Sequence, residues 1–83
     1  MDLRTQIRDY IVENFLFGDR APLASDAMSL LDHGIIDSTG VMELVAFLEG
    51  DLALVIADDE LVPENLDSVD NLVSFVERKR SAA

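Results

Sequence analysis

The sequence predicts an all-α fold: a small four-helix bundle with three main helices and one short third helix. Three observations predict it. Apolar residues recur with a 3.6-residue period in the first segment, in 38–49 and in the last segment. Capping residues and helix breakers stand at the ends of those segments. No apolar/polar alternation lasts long enough to build a sheet, although Leu52-Ala53-Leu54-Val55-Ile56 is locally extended in character.

The first helix is expected over 2–16. Leu3, Ile7, Tyr10, Ile11 and Phe15 form one stripe. Asp2 suits the positive end of the helix dipole, and Gly18 is a natural stop. From 17 to 37 the pattern dissolves into a long loop. Gly18, Pro22, Ser25, Asp26, Asp32 and Gly34 punctuate it, with Leu23, Met28, Leu30, Leu31, Ile35 and Ile36 as apolar anchors and one helical turn expected near 28–31. A loop of about 20 residues in a compact domain is more often functional than idle.

The second helix is expected over 38–50. Ser38 is read as its N-cap, Asp37 adds negative charge at the dipole's positive end, and Gly50 ends it. Asp58-Asp59-Glu60-Leu61 is expected to start a short third helix, stopped by Pro63. The last helix begins at Ser68, with Asn71 three residues on, and runs to about residue 80. Its stripe is Val69, Leu72, Val73 and Val76, and Arg78, Lys79 and Arg80 complement its negative end. Residues 81–83 are expected to fray. Nothing repeats, so 1–83 reads as a single domain. Mass scaling puts the folded surface at about 4,900 Å², burying about 63% of that of the unfolded chain.

Seventeen acidic residues against six basic ones leave a net charge of −11. Nucleic acid is disfavoured as a partner because phosphate binding needs a basic face, and so is an anionic membrane surface for the same reason. A protein with a basic patch is the natural partner. An apolar fraction of 49% argues against disorder despite the charge. The absence of Cys excludes disulfides, zinc-thiolate sites and a thiol nucleophile, and the single His leaves no pair for a metal. No run approaches the ~18 apolar residues of a membrane span. Met1-Asp2-Leu3-Arg4 lacks a secretory signature, so the expected location is cytoplasmic.

The second helix carries more apolar surface than a core stripe needs. With Ser38 at zero and about 100° per residue, Val41, Leu44, Val45 and Leu48 share one arc about 100° wide. Thr39, Met42 and Ala46 fall on the opposite side, flanked by Glu43 and Glu49. Either Met42 covers a little extra core, with Ala46 a plain helix former, or the spot is a docking surface with an apolar centre and an acidic rim.

Ser38 has two readings of its own, a helix cap or a site of chemistry. As a nucleophile it would need a base, and His33 is the only imidazole, in a loop with no orienting partner that the sequence identifies. A serine at a helix start has another use: a phosphodiester on its oxygen would sit against free backbone N–H groups and the dipole. The acids Asp58, Asp59, Glu60, Glu64, Asp67 and Asp70 lack the spacing and glycine of a calcium loop and read as a solvated face, so no metal site and no catalytic residue is assigned.

Gly34-Ile35-Ile36-Asp37-Ser38-Thr39, followed by Val41-Met42-Glu43-Leu44-Val45-Ala46-Phe47-Leu48-Glu49, resembles the signature of acyl and peptidyl carrier proteins. The resemblance spans nearly the whole chain and implies an acyl-carrier-protein-like bundle. It implies that Ser38 carries 4′-phosphopantetheine, with Asp37 as its motif partner, and that Thr39, Met42, Glu43, Ala46 and Glu49 face partner enzymes. Those partners would be a phosphopantetheinyl transferase, an adenylating acyl- or aminoacyl-ligase and a downstream acyl-accepting enzyme. The chain itself would be a free-standing monomer without catalytic activity. Two departures stand out: Thr39 replaces the Leu usual in fatty-acid carriers, and Gly40 replaces a common acidic residue. The Gly-Ile-Ile-Asp-Ser lead-in resembles aminoacyl and peptidyl carriers more than the fatty-acid type. A fatty-acid-type carrier and an unmodified acidic helical adaptor are the alternatives.

Overall fold

The computed structural model of the chain describes residues 2–81. The elements run α1 (Leu3–Phe15), α2 (Ser38–Gly50), a 3-10 turn (Asp58–Glu60), α3 (Pro63–Leu66) and α4 (Val69–Ser81), with no strand among the described residues. The expected bundle of three main helices and a short one is therefore what the chain builds.

Asp2 caps α1 from outside it: its carboxylate accepts the N–H of Thr5 at 2.7 Å. Ile7 and Ile11 are fully buried, Val12 joins them, and Leu3, Tyr10 and Phe15 pack around that centre. Two left-handed residues end the helix, Phe17 at φ +54° and Gly18 at φ +85°. They turn the chain so that the Gly18 N–H donates back to Val12 O at 2.9 Å.

The connection from 16 to 37 is held at several points. Arg4 and Arg8 of α1 both bind the Asp26 carboxylate, and Arg4 also reaches Asp70 of α4 at 2.5 Å. The Asp70 N–H donates to Asp26 O. Further on, Asp67 accepts from Ser29 Oγ (2.5 Å) and the Leu31 N–H (2.9 Å), while its carbonyl takes the Leu30 N–H. The helical turn of this connection lies over 29–34 rather than 28–31, with His33 N–H on Ser29 O and Gly34 N–H on Leu31 O. Gly34, at φ +69°, then lets the Ile35 and Ile36 N–H groups both turn back to Leu30 O, which aims the chain into α2.

Three boundaries differ from expectation. Ser38 is not the cap of α2; Asp37 is, its Oδ1 accepting the Gly40 N–H at 2.8 Å while its carbonyl takes the first helical bond from Val41. Aspartate caps at least as well as serine, and starting one residue earlier makes Ser38 the first helical residue. Pro63 does not stop a helix but begins α3, at the position where its missing N–H costs nothing and its fixed φ fits. The acids before it close a separate 3-10 turn. α4 ends at Ser81 rather than at about residue 80; Ala82 and Ala83, of the tail expected to fray, lie outside the described residues.

At the start of α4, Ser68 Oγ accepts the Asn71 N–H at 3.0 Å, and Val69, Leu72, Val73 and Val76 are buried as expected, joined by Phe75. The accessible surface of 4767 Å² is close to the value that mass scaling gives.

Candidate functional site

The face that α2 shows to solvent is decided by how α1 packs on it. The Phe15 ring lies against the first turn of α2, 3.1 Å from where a Cβ on Gly40 would stand. Earlier in α1, Tyr10 stacks on Phe47 with centroids 4.0 Å apart and meets Phe15 edge-on at 5.8 Å. The Tyr10 hydroxyl donates to Glu43 O at 3.1 Å. The two helices therefore run antiparallel, joined along Gly40, Glu43 and Phe47. Burial, then the negative charges of Glu43 and Asp51, push the Tyr10 phenol above its ordinary pKa.

On the core side, Leu44 and Leu48 are fully buried, Val45 is buried and Val41 is half-buried. Between these two contact surfaces remains a strip on which Ser38, Thr39, Met42, Ala46 and Glu49 are all exposed, with Glu43 at its edge. Met42 is 59% exposed, so it does not serve as extra core. The structure thus places Ser38, Thr39, Met42, Glu43, Ala46 and Glu49 on one exposed helix face, and Asp37 sits directly before them.

Ser38 stands at the head of a 13-residue helix whose cap carboxylate is engaged with Gly40. The residue is exposed, and among the described residues no side-chain hydrogen bond to it is formed. His33 Nδ1 is instead 2.9 Å from Ser29 O, so the imidazole is tied to its own turn and does not complete a Ser-His pair. The arrangement offers an accessible hydroxyl to chemistry supplied from outside. A mostly apolar cavity of about 120 Å³ opens between Leu31 and Ile36 of the connection, Val41 of α2 and Leu61 and Leu66 beyond the 3-10 turn.

Two residues at this end escape sequence reasoning. Gly40 reads only as a missing acid until Phe15 is seen against it. Phe17, 97% exposed, stands outside the periodic stripe of α1, and that misfit beside a glycine is its only sequence signal.

Fold and exposed helix start together give an acidic helical bundle with an accessible serine at the head of α2. No family model matches the chain. It is 29% identical over 79 residues to the probable acyl carrier protein PigG of Serratia sp. (strain ATCC 39006), an alignment covering 95% of this chain and 90% of that one. This similarity supports a carrier role for the protein.

Proposed function

We propose that the Ser38 hydroxyl is the attachment point of 4′-phosphopantetheine, and that the chain presents an acyl or aminoacyl group on that arm to partner enzymes. The observation that carries this reading is the exposed serine at the first position of α2, directly after an engaged Asp37 cap. A phosphodiester on Ser38 Oγ fits there: the oxygen is accessible, and the first N–H groups and the dipole of a 13-residue helix favour the anion. When bound, the arm supplies the thiol that this chain lacks and holds its cargo as a thioester. In forming the link, Ser38 Oγ attacks phosphorus in the coenzyme A pyrophosphate. The Oγ–P bond forms, the P–O bond to the adenosine bisphosphate breaks, and the hydroxyl proton passes to a base of the transferase.

The chain's own residues then bind and orient. Met42, Thr39 and Ala46 form the apolar centre of the docking strip and Glu43 and Glu49 its charged rim, facing the transferase, an adenylating ligase and the enzyme that takes the cargo. An amino-acid or peptidyl cargo is favoured by the Gly34-Ile35-Ile36-Asp37-Ser38 lead-in and by Thr39 and Gly40. The protein works as a cytoplasmic monomer and performs no catalysis itself.

Incubation with coenzyme A and a broad-specificity phosphopantetheinyl transferase, read by intact mass, tests the assignment. One phosphopantetheine is expected on the wild type and none on Ser38→Ala. No gain on wild type, or an equal gain on Ser38→Ala, rejects it. An adaptor that docks through Met42 alone would bind its partner regardless of Ser38→Ala.

A further inference from the structure

We propose that Phe17 is an aromatic anchor for the enzyme that modifies Ser38, entering an apolar socket flanked by basic groups on that enzyme. The proposal rests on the Ser38 assignment and extends its docking surface from α2 to the end of α1.

Phe17 is spent against local stability twice over. Its side chain is 97% exposed, whereas Tyr10, Phe15, Phe47 and Phe75 are all buried or half-buried. Burying a phenylalanine is favourable, and this one forgoes it. Its backbone stands at φ +54°, a region that bulky residues avoid and where glycine or asparagine is the ordinary choice at a helix end. Residues kept in such conformations cluster at functional sites.

Nor does the ring ride on a loose loop. The Gly18 N–H on Val12 O and the Asp19 N–H on Leu16 O, both at 2.9 Å, close two turns that enclose the Phe17 backbone and fix it to the end of α1. An anchor presented on a rigid stub loses little freedom on binding.

Its placement selects the partner. Phe15 touches α2 at Gly40; Phe17 lies two residues beyond the first, and Ser38 two residues before the second. An enzyme that forms a bond at Ser38 Oγ must bring its own atoms to that oxygen. A standard interface covers about 800 Å² on each partner, a disc of roughly 16 Å radius, which takes in both sides of the Phe15–Gly40 contact. Enzymes that reach the cargo through a long arm are under no such constraint. In sequence, exposed Glu13 and Asp19 flank Phe17 and exposed Asp37 and Glu43 flank Ser38; the cation closest to Phe17, Arg20, is held by Asp9, and the chain's net charge is −11. The complementary surface is a basic rim around an apolar socket, the usual setting of an aromatic hot spot.

The test is steady-state phosphopantetheine transfer from coenzyme A by a broad-specificity transferase, on wild type, Phe17→Gly, Phe17→Asn and Phe17→Trp, with a thermal unfolding midpoint for each. KM for the carrier is expected to rise about tenfold in Phe17→Gly and Phe17→Asn, from losing one buried ring, with kcat unchanged. Phe17→Trp keeps the wild-type KM. The midpoint of Phe17→Gly equals or exceeds wild type, because the left-handed position suits glycine. Unchanged KM in both the Gly and Asn variants overturns the proposal while leaving Ser38 as the attachment site. A raised KM that accompanies a lowered midpoint in both makes Phe17 structural and overturns it as well. A wild-type chain that takes no arm overturns the Ser38 assignment and this proposal together.

Discussion

Asp37, Ser38 and Gly40 show how three neighbouring residues divide the work at the head of α2. Asp37 satisfies the Gly40 N–H, Ser38 is left facing water, and Gly40 has no side chain because Phe15 occupies that space. Gly40→Asp sets a Cβ 3.1 Å from the Phe15 ring and 3.4 Å from Asp37 Oδ1. We expect it to destabilise the fold by about 1–2 kcal/mol in urea unfolding, through overpacking and repulsion between the two carboxylates. The penalty should shrink in a Phe15→Ala background; equal penalties in both would show that the ring is not the cause. The sequence alone shows two good caps in a row and cannot choose between Asp37 and Ser38, because the choice depends on which oxygen reaches the Gly40 N–H. Phe47 is illegible for a similar reason: its burial depends on Tyr10, a residue 37 positions earlier that stacks on it.

At the scale of elements, helix existence was legible and helix junctions were not. Apolar periodicity places α1, α2 and α4 within a residue or two, since each buries one stripe against the others. Pro63 carries no sign of whether it starts or stops a helix; the 3-10 turn before it decides. The clasp on the long connection is also invisible in sequence, because Arg4, Arg8, Asp26 and Asp70 come from three separate segments. Burial alone would raise the Asp26 pKa, but hydrogen bonds from Arg4 and Arg8 outweigh it and hold the carboxyl below its usual value. A carboxyl lowered in the folded state contributes stability above its unfolded pKa of about 3.9, and that contribution is lost as pH falls through the folded value. Asp26→Asn should therefore be less stable than wild type at pH 7. The gap should narrow below about pH 4, measured by urea unfolding across pH. A gap of constant size would mean that the clasp does not act through the Asp26 charge.

Over the whole molecule, charge was fully legible and its distribution only partly so. Five of the six basic side chains are held by acceptors of the chain itself: Arg4, Arg8, Arg20 and Lys79 by carboxylates and Arg78 by Asn65. Among the described residues most of the other acids are exposed and form no ion pair, so the field outside the protein is negative and the folded state repels itself. Added salt should raise the thermal midpoint by screening that repulsion, and should slow association with the transferase proposed to modify Ser38. A midpoint that falls with salt would show that the internal ion pairs dominate instead. A rate that does not change would remove electrostatic steering from docking.

The fastenings of the long connection reach far along the chain, from Ser29 to Asp67 and from Asp26 to Asp70. Contacts of such separation close late in folding, after local helices have formed. During synthesis, then, the stretch that delivers Ser38 comes to rest only once α4 has left the ribosome, and a nascent chain cut short of α4 holds its serine on an unsettled helix start.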